Sequence, residues 1–264
     1  MKTDKTSVVW ITGASSGIGE ALVHAYAATG CRVILSSRNK DKLEEIKSGF
    51  ENPERLAVLP LDLSRPEKLS ETADRAIQLF GHVDLLINNG GISQRSLASE
   101  TSIDVDRKLM EVNYFGNIML TKCLLPHFIS RNSGHIAVVS SLVGKFGSPY
   151  RSGYAASKHA LHGYYDSLRA ELADTGIRIT IICPGFIRTE VSVNALTEDG
   201  SPLHKMDDAQ ANGMDPSLCA QKIIKAIQKN KREVYIGGKE VLGVYVKRFF
   251  PDLFASILPR ARVR

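Results

Sequence analysis

Val8-Val9-Trp10-Ile11-Thr12-Gly13-Ala14-Ser15-Ser16-Gly17-Ile18-Gly19 is the stretch on which the fold turns. Residues 8–11 are an apolar, β-branched run of the kind found in strands buried on both faces, and the chain after Gly17 has helical period. Strand, glycine-rich turn and helix in this order form a phosphate cradle. Glycines allow a tight turn, close approach of backbone to a pyrophosphate and close packing of helix on strand, while free N–H groups at the helix start meet the anion. The spacing is GxxxGxG, not the commoner GxGxxG, and a glycine-rich turn alone is often only a turn.

Working outward, further apolar runs at 33–35, 56–61, 85–87, 136–139 and 177–183 alternate with longer segments of helical period. The expected fold is therefore α/β, a doubly wound parallel sheet with helices on both faces, whose ligands bind beyond the carboxyl ends of the strands. Helix ends are legible too. Ser64, Pro66 and Glu67 fit a capping box, Gly30 and Gly176 follow helical patterns as C-terminal caps, and Asp215-Pro216 opens a helix.

Tyr154 and Lys158 lie in the run Tyr154-Ala155-Ala156-Ser157-Lys158. On a helix a spacing of four puts phenol and ammonium one turn apart on one face, where a cation lowers the phenol pKa and lets it exchange protons with an alcohol or carbonyl oxygen. Alone, the pair is equally readable as a surface helix bearing a lysine and a half-buried tyrosine.

The 264 residues, 43% of them hydrophobic, suffice for one large α/β domain. No linker, repeat or low-complexity stretch divides them, so residues 1–240 are expected to form the catalytic domain and 241–264 an amphipathic extension. The formal charge is +6, but from Lys247 onward Lys247, Arg248, Arg260, Arg262 and Arg264 face only Asp252, a balance of +4. The body is nearly neutral, which gives no reason to expect a nucleic-acid partner. Cys31, Cys123, Cys183 and Cys219 are far apart, without CxxC or histidine at ligand spacing, so neither a metal site nor a disulfide framework is expected. Met1-Lys2-Thr3-Asp4-Lys5-Thr6 is charged and runs straight into a strand pattern, which leaves no room for a signal peptide; a cytoplasmic location is the expectation.

Taken together, the motifs resemble those of the short-chain dehydrogenase/reductase family. TGxxxGxG with Gly13, Gly17 and Gly19, Asn88-Asn89-Gly90-Gly91, Asn113, Ser141, Tyr154, Lys158 and Pro184-Gly185 fall in the family's order across residues 7 to about 190. Two departures stand out. The family usually has alanine where Gly90 stands, and its chains often end soon after a C-terminal Gly-Gly pair, whereas Gly237-Gly238 is followed here by a long extension.

The resemblance implies a Rossmann fold and a hydride-transferring enzyme. In it Tyr154 is the acid/base, Lys158 lowers its pKa and holds the nicotinamide ribose, Ser141 polarises the substrate oxygen, and Asn113 holds a water that relays protons to Lys158. Ser140 and Ser141 are both candidates, and the family's serine, thirteen residues before the tyrosine, selects Ser141. The cofactor contact is carried onto Gly13, Ser15, Ser16, Gly17, Ile18, Gly19, Arg38, Asp62, Leu63, Asn89, Gly90, Tyr154, Lys158, Pro184, Gly185, Ile187 and Thr189. The turn Ser36-Ser37-Arg38-Asn39-Lys40 lacks the acid that grips a ribose 2′-hydroxyl and offers Arg38 to a 2′-phosphate, which favours NADP(H) over NAD(H).

Residues 189–214 read as a long loop of the functional kind. Phe146, Tyr150, Phe186, Leu196 and Met206 are candidate pocket residues, favouring a lipophilic carbonyl or secondary alcohol as substrate, although each singly could be core. The tail is too short and broken to span a bilayer. It can dock on its own domain or on a partner subunit in a homodimer or homotetramer, or it can lie on a membrane surface, and docking on protein is preferred. It is similar to the C-terminal region of the family's hydroxysteroid-dehydrogenase-like branch. A non-catalytic dinucleotide-binding sensor or scaffold is the rival from another class. The set Asn113, Ser141, Tyr154 and Lys158 speaks against it, because binding alone needs no proton relay.

Overall fold

The computed structural model describes residues 4–260. Met1, Lys2 and Thr3 of the charged N-terminus, and Arg262 and Arg264 of the basic tail, lie outside the described residues. Seven parallel strands form one sheet in the order β3-β2-β1-β4-β5-β6-β7. They are β1 Val8–Thr12, β2 Arg32–Ser36, β3 Leu56–Val58, β4 Leu85–Asn88, β5 Gly134–Val139, β6 Ile177–Pro184 and β7 Glu233–Ile236. The helices are α1 Gly17–Ala28, α2 Lys40–Ser48, α3 Leu69–Phe80, α4 Ile103–Met110, α5 Gly116–Ser130, α6 Ser152–Glu171, α7 Asp208–Ala211, α8 Pro216–Gln228, α9 Leu242–Phe249 and α10 Pro251–Ile257. This is a Rossmann-like, doubly wound sheet.

Strand alternation builds two cores. Val8 and Trp10 join a cluster with residues of α3, α5 and α6, while Val9 and Ile11 join another with residues of α1, α2 and α8. Every residue of β1 is buried, as the uninterrupted apolar run requires. β7 is absent from the sequence expectation. Its Glu-Val-Tyr-Ile is short, half-buried and at the sheet edge, so it lacks the apolar run that marks the inner strands. β3 is likewise shorter than the expected 56–61.

The helix ends correct two expectations. Ser64 does not cap; its N–H and hydroxyl both donate to Asp62 Oδ1, and a 3-10 turn at Pro66–Lys68 precedes α3. Gly176 sits at the entry to β6 against the Asn132 carbonyl, not in a helix cap. Gly30 does follow α1 in the left-handed conformation, and Asp215 caps α8 by accepting from the Ser217 N–H at 2.8 Å. The tail folds into α9 and α10, which turn Val244 and Phe254 inward; the Phe254 and Phe146 rings lie 5.1 Å apart. No helix among the described residues is long and apolar enough to cross a membrane. All four cysteines are free.

Candidate active site

Strand order reverses between β1 and β4, and parallel sheets open a crevice at such a point. A cleft of about 930 Å³ lies there. Thr12 ties its two walls together: its hydroxyl accepts from the N–H groups of Asn89 (3.0 Å) and Gly90 (2.9 Å), while Asn89 Nδ2 donates back to the carbonyls of Thr12 and Gly13. Gly13 and Gly17 have φ of 64° and 57°, a region that disfavours any side chain. Ser16, at the α1 N-cap, makes no side-chain cap bond, in contrast with Asn39 on α2. The start of α1 is thus left for an anion.

All the cofactor residues expected from sequence line this cleft except Gly19. Gly19 acts from behind, where a Cβ would run into the Gly13 carbonyl and stand 2.7 Å from Asn89 Nδ2. At the far rim Arg38 lies between Ser37 and Asn39. Burial pushes the nearby Asp62 carboxyl up, but bonds from Ser64 and the field of Arg38 outweigh it and leave Asp62 below the usual carboxylate range. Ser37, Asn39, Lys108, Glu190 and Asn194 also line the cleft and were not expected.

Tyr154 and Lys158 do sit one turn apart on α6, with the ammonium 5.7 Å from the centre of the phenol ring. Burial pushes the Lys158 ammonium down to about 8, and its Nζ donates to the Val139 carbonyl at 2.9 Å. Burial also pushes the Tyr154 phenol up, contrary to the expected lowering. The groups that pull it back are the Ser141 hydroxyl, Arg151 and then Arg95. Ser141 lies at the carboxyl end of β5, where its hydroxyl donates to the Pro184 carbonyl at 3.3 Å. Asn113 is fully buried in a π-helical turn, Glu111–Phe115, that joins α4 to α5. Its amide accepts from the Ile92 N–H at 2.8 Å and donates to the Ile92 carbonyl and to Ser157, so it fixes the chain after β4 against α6.

Beside the cleft lies a second cavity of about 350 Å³, lined by Leu142, Val143, Phe146, Phe186, Phe254 and Ile257 among others. Of the five candidate pocket residues, Phe146 and Phe186 line it. Leu196 lines the dinucleotide cleft instead, Tyr150 and Met206 line neither, and Met206, half-buried within the 189–214 segment, accepts from the Ser192 hydroxyl. Ser141 and Tyr154 line both cavities.

Sequence reading missed the ionic wall of this second cavity. Arg95 and Arg151, both buried, converge on Asp207 of the 189–214 segment; Arg95 Nε lies 2.7 Å and Arg151 NH2 3.6 Å from Asp207 Oδ2. Burial pushes the Arg151 guanidinium down to about 10. Arg151 precedes Tyr154 by three residues, a spacing that could have revealed it; Arg95 and Asp207 are over a hundred residues apart and leave no local sign. Also unforeseen is a network behind the serines. Ser140 Oγ lies 3.0 Å from His162 Nε2, and His162 Nδ1 3.3 Å from Glu233, which also pairs with Lys145.

Comparison with known proteins agrees with this geometry. A family model described as short chain dehydrogenase matches residues 7–200. A Drosophila melanogaster protein named dehydrogenase/reductase SDR family protein 7-like is 42% identical over 263 residues, covering 97% of this chain and 81% of its own. A short-chain dehydrogenase structure from Streptomyces avermitilis superposes with a TM-score of 0.81 at 28% identity, covering 95% of each chain. A short chain dehydrogenase from Burkholderia cenocepacia, solved in complex with NADP, gives 0.80 at 25% identity over 97% of this chain and 99% of its own.

Proposed function

Because the chain belongs to the short-chain dehydrogenase/reductase family, we propose that it is an NADP(H)-dependent oxidoreductase interconverting a carbonyl and a secondary alcohol on a lipophilic substrate. One observation carries the reading: the hydroxyls of Ser141 and Tyr154 stand at the junction of the dinucleotide cleft and the largely apolar cavity. A reacting carbon held there faces the cofactor on one side and proton donors on the other.

The residues present fit a dinucleotide, as the uncapped start of α1, the left-handed glycines and the close approach at Gly19 attest. When bound, the nicotinamide supplies or accepts hydride. Gly13, Ser15, Ser16, Gly17 and Ile18 would hold the pyrophosphate, Asp62 and Leu63 the adenine, and Lys158 the ribose. Arg38 would meet a 2′-phosphate, a choice supported by the similar Burkholderia cenocepacia protein's complex with NADP. Ser141 and Tyr154 hydrogen-bond the substrate oxygen, where negative charge grows in the reducing direction, and Tyr154 donates the proton. Asn113, Ser140 and His162 position these groups. The apolar walls exclude water from the reaction.

A screen of aliphatic, aromatic and steroidal ketones and their alcohols, following nicotinamide absorbance with NADPH and NADH separately, tests the proposal. Turnover of apolar substrates with NADPH supports it. Tight cofactor binding with no turnover on any substrate would favour a sensor or scaffold.

A further inference from the structure

Behind Ser141 a ring of polar side chains closes on itself. Ser140 Oγ donates to the Lys158 carbonyl at 3.3 Å and lies 3.0 Å from His162 Nε2. On its other side the imidazole presents Nδ1 to Glu233 Oε2 at 3.3 Å, and the same oxygen accepts from the Lys145 ammonium at 3.1 Å. Lys145 follows the 3-10 turn Leu142–Gly144, so the ring leaves the chain at Ser140, crosses α6 and β7, and returns at Lys145. Gly144 lies across it, where a Cβ would stand 2.5 Å from Ser140 Oγ and 3.0 Å from His162 Nε2.

Protons decide how the ring is polarised. Burial pushes the Glu233 carboxyl up, but contacts with His162, Tyr235 and Lys145 outweigh it and bring it down to about 2, so an anion faces the imidazole. Among the described residues His162 Nδ1 has no hydrogen-bond partner besides this carboxylate. It therefore carries a proton, which leaves Nε2 to accept from the Ser140 hydroxyl. Serine, histidine and acid in this order resemble a nucleophilic triad. Ser140 touches the cleft wall but is 3% exposed, with its hydroxyl turned to His162 and the Lys158 carbonyl, so the row holds position and does not attack.

What flanks Ser140 makes position matter. Val139, just before it, lends its carbonyl to the Lys158 ammonium at 2.9 Å, and Ser141, just after it, stands at the junction of the two cavities. Leu142 and Val143 then wall the apolar cavity. A serine that must meet a substrate oxygen stays aligned only if its segment does. We propose that His162, fixed by Glu233, is a positioning residue: by gripping Ser140 it holds residues 139–145, and with them Ser141 and the Val139 contact of Lys158, in the geometry that hydride transfer needs. Neither His162 nor Glu233 lines either cavity, so both act through Ser140. The grip stands by itself; its bearing on turnover rests on the oxidoreductase reading above.

Two near-isosteric variants cut the ring at different points. The amide of His162→Asn can reach Glu233 in place of Nδ1 but not Ser140, whereas that of His162→Gln can reach Ser140 in place of Nε2 but not Glu233. Hydrogen exchange on the full chain, read by mass spectrometry on peptides covering residues 140–147, needs no substrate. Exchange there should be at least about tenfold faster in His162→Asn and in Ser140→Ala, and about threefold faster in His162→Gln, while peptides of β1 and α2 keep their rates. Combining His162→Asn with Ser140→Ala should add nothing to either alone. Ser140→Ala removes a single oxygen and carries the comparison should His162→Asn fail to fold. On a substrate found by the screen above, His162→Asn should lower kcat at least about tenfold with KM and cofactor affinity changed less than about threefold, and His162→Gln should recover much of the rate. Unchanged exchange, exchange that rises equally across the sheet, or strict additivity of the two variants overturns the grip. Faster local exchange with an unchanged kcat overturns its bearing on turnover. A protein that turns over no substrate fails the oxidoreductase reading, and the kinetic half falls with it, while the exchange result still decides the grip.

Discussion

The dinucleotide cleft and the cavity beside it meet at Ser141 and Tyr154 but are built from different material. The cleft is made largely of backbone: glycine turns after β1 and β4, the start of α1 and the Thr12 hydroxyl stitching them. Its key contributors lie at successive strand ends, placed by topology. The cavity is made of side chains from segments scattered along the chain, with Arg95 after β4, Phe146 and Arg151 before and at the start of α6, Phe186 after β6, and Phe254 in the tail. A backbone site is sensitive to any added atom. A side-chain site is defined by volume and charge, and can change occupant without disturbing the fold.

Removing the phenol oxygen where the two sites meet should have the largest effect. Tyr154→Phe keeps the ring and its packing and deletes only the oxygen that exchanges the proton. Turnover should fall by about 10²–10⁴-fold, the usual range for a lost general acid, with cofactor affinity nearly unchanged. Steady-state kinetics and cofactor titration on the same preparation check this, and a near-normal rate would refute the role of Tyr154.

The contrast in materials is broken next by one substitution on each side. Gly19→Ala would drive a Cβ into the Gly13 carbonyl, a backbone atom with nowhere to go. We expect a loss of roughly 2–4 kcal/mol in denaturant stability together with at least about hundredfold weaker cofactor binding. Phe146→Leu, on the cavity side, should cost only about 1 kcal/mol and change substrate preference instead. Equal costs for the two would show that the cleft is as adaptable as the cavity.

Arg38→Ala tests the one side chain of the cleft proposed above to set cofactor specificity. It should reduce the preference for NADP(H) over NAD(H) about tenfold, or about 1.4 kcal/mol, as befits one charge-assisted pair. Parallel titrations of the two cofactors measure the ratio, and an unchanged ratio would withdraw Arg38 from that task.

The same contrast explains what the sequence disclosed. The first six strands, the glycine turn and the order of Asn113, Ser141, Tyr154 and Lys158 were legible because these strands carry unbroken apolar runs, even β3 at the far edge, and backbone sites need glycines at fixed offsets. β7 was not, because an edge strand is half-buried and carries Glu233. Nor was the Arg95–Asp207–Arg151 cluster, since no local period links residues brought together only by the folding of the 189–214 segment. Tyr150 and Met206 were misplaced for the same reason: apolar character says that a residue seeks cover, not which cavity it covers.

Arg151 offers a subtler test of the side-chain wall. A cation near Tyr154 favours the phenolate, so it lowers the phenol pKa, and removing it raises that pKa further above the usual tyrosine value. Arg151→Met should therefore move the Tyr154-dependent limb of the pH–rate profile to higher pH. In the oxidising direction, which needs the phenolate, activity near neutrality then falls; in the reducing direction the alkaline decline is delayed. A lower plateau with an unmoved limb would mean that Arg151 only shapes the cavity.

The smallest effect should come from Gly90→Ala, the substitution that restores the residue usual in this family's turn. Unlike Gly13 and Gly17, Gly90 is not among the glycines with positive φ, so alanine meets no backbone penalty there. Its Cβ would stand 2.9 Å from Leu63 Cδ1 and 3.3 Å from the Thr12 hydroxyl. Cδ1 is the end of a flexible side chain, and Leu63 lines the cleft wall. The entropy lost from the unfolded chain stabilises alanine by about 0.4–1 kcal/mol, and the displaced Leu63 takes back a similar amount. The net change in denaturant stability should lie within about 0.5 kcal/mol of zero, and Leu63→Ala combined with Gly90→Ala should cost less than the sum of the two alone. A loss above about 2 kcal/mol, or strict additivity, would mean that the Thr12 bridge and not Leu63 receives the new methyl group. The turn after β4 would then be as unyielding as the one after β1.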